Sequence, residues 1–83
     1  MTLGTQLVQI SNLKGDEQRE AIQDFSRKIN EHKEKRLLSM CLQAAQEGRR
    51  YIRFAKATPP PIELRTEGFY LRAIAGMYEY AWH

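Results

Sequence analysis

Cysteine and histidine are scarce in this sequence, which limits the chemistry that it can support. Its 83 residues include one cysteine, Cys41, and two histidines, His32 and His83. A single cysteine excludes a disulfide within the chain and argues against a cysteine-based zinc site. On one continuous helix His32 and Cys41 would point in opposite directions, so they would not act as a pair. We therefore expect no metal and no cofactor, and we expect Cys41 to be a small apolar residue of the core.

Long apolar runs and glycine-rich loops are also missing. The longest apolar run, residues 73–78, is far shorter than the ~20 residues of a membrane-spanning helix. The first residues lack the basic and apolar regions of a secretion signal. The five glycines are dispersed and form no phosphate-binding loop, and no pair of carboxylates has a catalytic spacing. We expect a cytoplasmic protein that is not an enzyme, without a membrane segment, of a kind compatible with a phage or viral accessory protein.

The composition indicates a small folded domain. The chain is 42% hydrophobic and 28% charged, as in globular proteins, and we place a single domain over residues 1–83. Thirteen Lys and Arg against ten Asp and Glu give a net charge of +3, well below that of a dedicated nucleic-acid binder. A small chain without disulfides often gains core by association. We therefore expect a homo-oligomer.

The first half of the chain predicts a short strand followed by helix. Residues 5–11 are short and β-branched, with Val8 and Ile10 on one face, and this predicts an N-terminal strand. Asp16 is expected to cap the following helix, because its carboxylate can accept free backbone amides at a helix start. Gly48 stands where a left-handed C-terminal cap is wanted. The helical pattern therefore extends over residues 16–47.

One apolar stripe runs along residues 16–47, with a polar interruption near residues 30–35. A continuous helix would be about 48 Å long, and a domain of this size is only about 25 Å across. The pattern allows one long helix or a helical hairpin, and the length favours the hairpin. We predict self-association through this stripe, with these contact residues: Ile22, Phe25, Ile29, Leu37 and Met40.

The second half predicts a small antiparallel sheet. Residues 62–73 have the pattern of a hairpin with Glu67 and Gly68 at its turn. In that register Glu63 faces Arg72, which pairs opposite charges across the strands. The competing interpretation is a helix over residues 66–82. The last residues, 77–83, are an aromatic segment that forms either a strand or a short helix, so the predicted class is α+β.

A basic strand over residues 48–56 is the first candidate site. Four cations alternate there with two aromatics, and no acid follows until Glu63. As an extended strand it would place Tyr51 and Arg53 on one face and Ile52 and Phe54 on the other. Such a strand can bind phosphate or protein, and it can equally be an ordinary edge strand guarded by charge. It lacks the glycine and aromatic signature of an RNA-recognition motif.

Three other features carry weaker signals. A second basic patch, residues 27–36, mixes both signs of charge and is typical of a solvated helix face. The C-terminal aromatics are dense, so the core takes several and a surplus would form a contact patch. Three prolines at residues 59–61 predict a rigid spacer.

Together these patterns predict a non-enzymatic interaction protein of the adaptor or inhibitor kind with a protein partner. The alternative is a nucleic-acid-binding regulator that uses the basic strand and the basic helix patch. The predicted partner-binding residues lie in the basic strand and the aromatic C-terminus: Arg49, Arg50, Tyr51, Arg53, Lys56, Tyr78, Tyr80 and Trp82.

Overall fold

The computed structural model describes residues 1–57 and 62–83, and in that part of the chain three helices precede a three-stranded sheet. The sheet is antiparallel, with the C-terminal strand between the other two. The α+β class is confirmed, while the predicted proline spacer lies outside the described residues. The elements are α1 (Leu3–Asn12), α2 (Gly15–Asn30), α3 (Lys35–Gln46), β1 (Tyr51–Ala55), a 3-10 helix (Ile62–Glu67), β2 (Phe69–Ile74) and β3 (Met77–Trp82).

The predicted N-terminal strand is wrong, because these residues form helix α1. The Thr2 hydroxyl accepts the Thr5 backbone N–H at 3.2 Å and caps the helix start. Leu3, Leu7 and Ile10 are all buried, and their spacing places them on one helical face. The alternation of Val8 and Ile10 suits a strand equally well, but Leu3 lies outside the predicted strand. The helix is therefore favoured by a buried face that begins earlier in the chain.

The helical hairpin is confirmed, since α2 ends at Asn30 and α3 begins at Lys35. The polar interruption of the apolar stripe forms the connection between them. Within it, the Nδ1 atom of His32 accepts the Glu34 backbone N–H at 3.1 Å. Because the stripe folds back on itself here, α2 and α3 bury it against each other and the rest of the domain.

The two predicted helix caps have different outcomes. Asp16 does not cap α2, because the N-cap residue of this helix is Lys14. Asp16 lies inside the first turn, where the helix dipole favours its negative charge. Gly48 does end α3, with φ at 81°. Its N–H donates to the Ala45 carbonyl at 3.0 Å, and the next N–H donates to the Ala44 carbonyl at 2.8 Å. This bonding satisfies the last carbonyls of the helix.

The predicted hairpin over residues 62–73 is wrong, and so is the competing helix over 66–82. Residues 62–67 form the 3-10 helix, and the hairpin is made by β2 and β3. Its turn is Ala75 and Gly76, which both have positive φ, 48° and 81°, as a two-residue hairpin turn requires. The aromatic C-terminal segment is therefore a strand, one of its two predicted alternatives.

The helices α1, α2 and α3 all pack on the same face of the sheet. Inward-facing residues from every element form a single buried cluster: Leu3, Leu7, Ile10, Phe25, Ile29, Leu38, Cys41, Leu42, Ala44, Ala45, Ile52, Leu64, Phe69, Tyr80 and Trp82. Phe69 contacts the rings of Tyr80 and Trp82 edge-on, at 6.3 and 5.8 Å between centroids. On the opposite face of the sheet, large apolar side chains remain exposed.

Candidate functional site

The sheet face away from the helices carries a regular grid of nine side chains, called here the open face. Alternate residues of a strand point to the same side, and the observed register aligns three such residues from each strand. The rows run from β1 through β3 to β2: Tyr51, Ala81 and Tyr70; Arg53, Glu79 and Arg72; Ala55, Met77 and Ile74. The open face thus has an aromatic row, a charged row and an apolar row.

The charged row is a carboxylate held between two guanidinium groups. The Nε of Arg53 donates to Oε2 of Glu79 at 3.0 Å, and the Nε of Arg72 donates to Oε1 at 2.7 Å. Only 1% of Glu79 is exposed, although it lies on a face without helices. The two arginine side chains cover it and keep about half of their own surface exposed. The row therefore presents fixed guanidinium groups with a net charge of +1.

This pairing keeps the row charged at neutral pH. The hydrogen bond from Arg72 is the main cause that lowers the pKa of Glu79; burial opposes it, and the hydrogen bond from Arg53 adds to it. The same hydrogen bond raises the pKa of Arg72. A general acid or base works best with a pKa near the operating pH, and the pKa values of Glu79 and Arg72 are shifted away from neutral pH. The charged row therefore presents fixed charges.

The aromatic row has both rings already held by cations. The Cζ atoms of Arg53 and Arg49 lie 5.1 and 5.9 Å from the centre of the Tyr51 ring. On β2, Arg72 lies 5.9 Å from the Tyr70 ring, which also stacks on His83 at 5.0 Å. Such contacts restrict the orientation of a ring, and a side chain that is already ordered loses less entropy in any binding event.

The apolar row adds exposed hydrophobic surface beside these charges. Met77 is 40% exposed and Ile74 is 37% exposed, next to the small side chain of Ala55. Tyr70, at 38%, continues this surface along β2. Apolar, aromatic and arginine side chains together are the composition of a contact surface.

Five of the predicted partner-binding residues are accessible. Tyr51 and Arg53 belong to the open face, and Arg49 borders it through its contact with the Tyr51 ring. Arg50 and Lys56 are exposed at the two ends of β1.

The three predicted residues of the C-terminal segment point the other way. Tyr80 and Trp82 are 0% and 1% exposed within the core, and Tyr78 is half-buried beside Phe54. Alternation along β3 turns these rings towards the helices, so the residues of this strand that point to the open face are the ones between them. Sequence reasoning missed Tyr70, Arg72, Ile74, Met77 and Glu79, although they alternate along 70–74 and 77–81.

Most of the predicted self-association residues lie in the core or pack against it. Phe25 and Ile29 are buried, Ile22 and Leu37 are partly buried, and Met40 is 39% exposed. The fold of the helical hairpin uses the stripe to build the monomer. Little of it is left for a second copy.

A seam between α3 and β1 borders the open face. Two hollows lie along it and share Met40: Leu37 and Phe54 line the first, and Gln43 and Ile52 line the second. Charged side chains stand at both: Arg36 and the acid Glu34 at the first, and Arg49 and Arg53 at the second. The seam therefore joins an apolar floor to a rim that is basic at the second hollow and mixed in charge at the first.

The other candidate sites have structural explanations. Within the second basic patch, Arg27 and Lys28 both pair with Asp24, at 3.1 and 3.3 Å, on an exposed helix face. Cys41 is fully buried, and burial raises the pKa of its thiol to about 12. The described residues hold no cluster of metal-binding side chains, and no helix among them is long and apolar enough to cross a membrane.

Comparison of the chain with protein-family models, with curated proteins and with solved structures gave no match in any of the three. What the open face and the seam can bind is therefore inferred from their geometry alone.

Proposed function

We propose that this chain is a cytoplasmic, non-enzymatic interaction protein that binds a protein partner through the open face of its sheet. The observation that carries the proposal is the combination of ordered tyrosines, paired arginines and exposed apolar residues on a face without helices. Tyr, Arg and Met are enriched at protein interfaces, whereas Lys, Asp and Glu are depleted. The grid contains no lysine, and its one acid, Glu79, is covered.

Nucleic acid is a second candidate ligand, favoured by one observation. Tyr51 and Tyr70 stand on the open face beside arginines, and exposed rings among cations are the usual platform for single-stranded bases. Glu79 and Glu47 counter this interpretation, because they pair with three of the arginines there: Arg53 and Arg72 with Glu79, and Arg49 with Glu47. A protein partner accounts for the apolar row as well.

Self-association through the helix stripe, which the sequence predicts, is left out of this proposal. Leu37 and Met40 are the stripe residues left at the surface near the seam, and a stable interface buries about 800 Å² on each partner. Two side chains supply only a fraction of that area.

The proposal is tested by affinity capture from a nuclease-treated lysate of the source organism. Wild type is expected to retain a protein that the double variant Tyr70→Ala/Met77→Ala loses. Both side chains are exposed, so the variant is expected to keep the circular dichroism spectrum of wild type. Glu20→Ala, on the exposed surface of α2, is the matched control and retains the partner. Capture that nuclease abolishes would instead support the nucleic-acid candidate.

A further inference from the structure

β1 is an edge strand, and the outer side of its backbone pairs with no strand of the described residues, 1–57 and 62–83. It lies at the end of the sheet order, paired only with β3 among the described residues. The Trp82 N–H donates to the Arg50 carbonyl at 3.1 Å, and hydrogen-bonded pairs recur at every second residue of an antiparallel ladder. Ile52 and Phe54 therefore bond to β3, while Tyr51, Arg53 and Ala55 turn their backbone groups away from the sheet. Those groups can pair with a further strand.

The charge along this edge selects the kind of strand that can join it. Residues 49–57 include four cations and no acid. Arg49 and Arg53 pair with acids elsewhere, whereas Arg50 and Lys56 form no ion pair with any described residue. A second copy of β1 would bring a like set of cations alongside, which is the usual protection against edge-to-edge pairing. An acidic segment would meet complementary charge instead.

The seam supplies a place for alternate side chains of an added strand. Side chains of a strand alternate between the two faces of a sheet. A strand on the free edge of β1 would direct one set towards the open face beside Arg53. The other set would enter the hollows floored by Leu37, Met40 and Phe54. Such a strand needs acidic residues on one side and apolar residues on the other.

We propose that the partner contributes an extended acidic segment, which adds to the free edge of β1 as a fourth strand with its apolar residues in the seam. This inference rests on the proposed function for the nature of the partner, a protein. It adds the conformation, the charge and the alternating pattern of the bound segment. Main-chain hydrogen bonds give such a complex its affinity, and the side-chain positions give its specificity.

The test uses a fluorescent peptide of alternating valine and glutamate, about eight residues long, titrated with the full chain at low salt. Fluorescence anisotropy is expected to show binding, and a peptide with lysine in place of glutamate is expected to show none. Arg53→Ala and Met40→Glu should each weaken binding several-fold. Arg19→Ala, at an exposed arginine of α2 away from the sheet, is the matched control for Arg53→Ala and should bind as wild type does.

Backbone pairing is tested by N-methylation of the peptide at alternate residues. Only one of the two alternating sets of amides can face β1. Methylation of that set should weaken binding on the order of tenfold or more for each lost bond, and methylation of the other set should leave it unchanged. Hydrogen exchange should show new protection at the amides of Tyr51, Arg53 and Ala55 in the complex.

Equal losses from both methylated peptides, or equal affinity for the lysine peptide, would overturn the strand addition. So would a stable dimer of the free chain joined at β1. The captured partner separates this inference from the proposed function. If Tyr70→Ala/Met77→Ala loses that partner while Met40→Glu, in the seam outside the open face, keeps it, the open face binds and β1 adds no strand. If all of these variants keep it, both proposals fail.

Discussion

At the scale of single residues, Glu79 is the side chain on which the open face depends. Two arginines from different strands converge on its carboxylate, so removal of the charge leaves both guanidinium groups without their carboxylate partner. We expect Glu79→Gln to lower the midpoint of urea denaturation more than Arg53→Ala does, because the remaining Arg72 still pairs with Glu79 in the second variant. Equal midpoints for the two variants would contradict this role.

The same residue predicts a pH dependence of stability. The folded-state pKa of Glu79 is lowered, chiefly by the hydrogen bond from Arg72, so its contribution is fully present above the unfolded pKa of about 4.3. It is lost as pH falls through the folded pKa, since the unfolded chain then binds the proton more readily. Denaturation from neutral to acidic pH should show a steeper loss of stability for wild type than for Glu79→Gln. If the stability of both proteins falls equally with pH, the pKa of Glu79 is not lowered by folding.

Gly4 is a second residue with a specific role, because it lets α1 approach the sheet. A Cβ at this position would lie 2.5 Å from the Gly68 carbonyl oxygen and 3.2 Å from the Trp82 Cβ. Alanine has the higher helix propensity by about 1 kcal/mol, yet we expect Gly4→Ala to destabilise the fold by about 1–3 kcal/mol. Chemical denaturation measures this, with Gln9→Ala on the exposed side of α1 as the control. If Gly4→Ala is instead more stable than wild type, α1 can shift away from the sheet to make room for the methyl group.

At the scale of elements, the turn between β2 and β3 is conformationally strained. Ala75 has a φ of 48°, and this left-handed region costs an L-residue roughly 1–2 kcal/mol. Asparagine tolerates it and is preferred before glycine in such turns. Ala75→Asn is therefore expected to stabilise the protein by about 1 kcal/mol, measured by thermal denaturation. Gly76→Ala, at a φ of 81°, should destabilise it and serves as the opposite control.

The same turn explains which elements the sequence predicts and which it does not. Helical periodicity and Gly48 were enough to place α2, α3 and the start of β1. Glu67 and Gly68 resemble a hairpin turn more closely than Ala75 and Gly76 do, so the sequence predicts the hairpin too early in the chain. That shift assigned Arg72 to the wrong partner and concealed the charged row.

α1 shows a different limit of sequence reasoning. Its apolar residues fit both the alternation of a strand and the spacing of a helix. Packing against the rest of the domain decides between the two. Leu3, Leu7 and Ile10 become buried only because the sheet and α3 offer them a surface. Tertiary packing of this kind cannot be inferred from local periodicity. For the same reason, local periodicity does not predict which face of β3 points away from the helices.

At the scale of the whole molecule, the positive charge of the edge and of the open face predicts a monomer in the absence of partner. A symmetric dimer brings the same surface of each copy together, so both β1 edges or both charged rows would oppose like charges. The apolar stripe that could have outweighed this repulsion is used inside the fold. Light scattering at micromolar concentration should therefore give the 9.7 kDa of one chain. A dimer would return self-association to the proposed function.

Salt dependence distinguishes the two classes of ligand, because it counts the charges neutralised on binding. A protein that makes six to ten phosphate contacts loses roughly 10³–10⁵ in affinity between about 50 and 200 mM salt. The open face and edge here offer few cations without an acid partner, Arg50 and Lys56 among the described residues, and the apolar contacts do not respond to salt in that way. We expect the affinity for the captured partner to fall by no more than about tenfold over this range, because only a few exposed charges are screened. Binding isotherms at the two salt concentrations measure the slope, with Met77→Ala as a variant that should lower affinity and leave the slope unchanged. A slope as steep as that of a phosphate binder would identify nucleic acid as the ligand of this face.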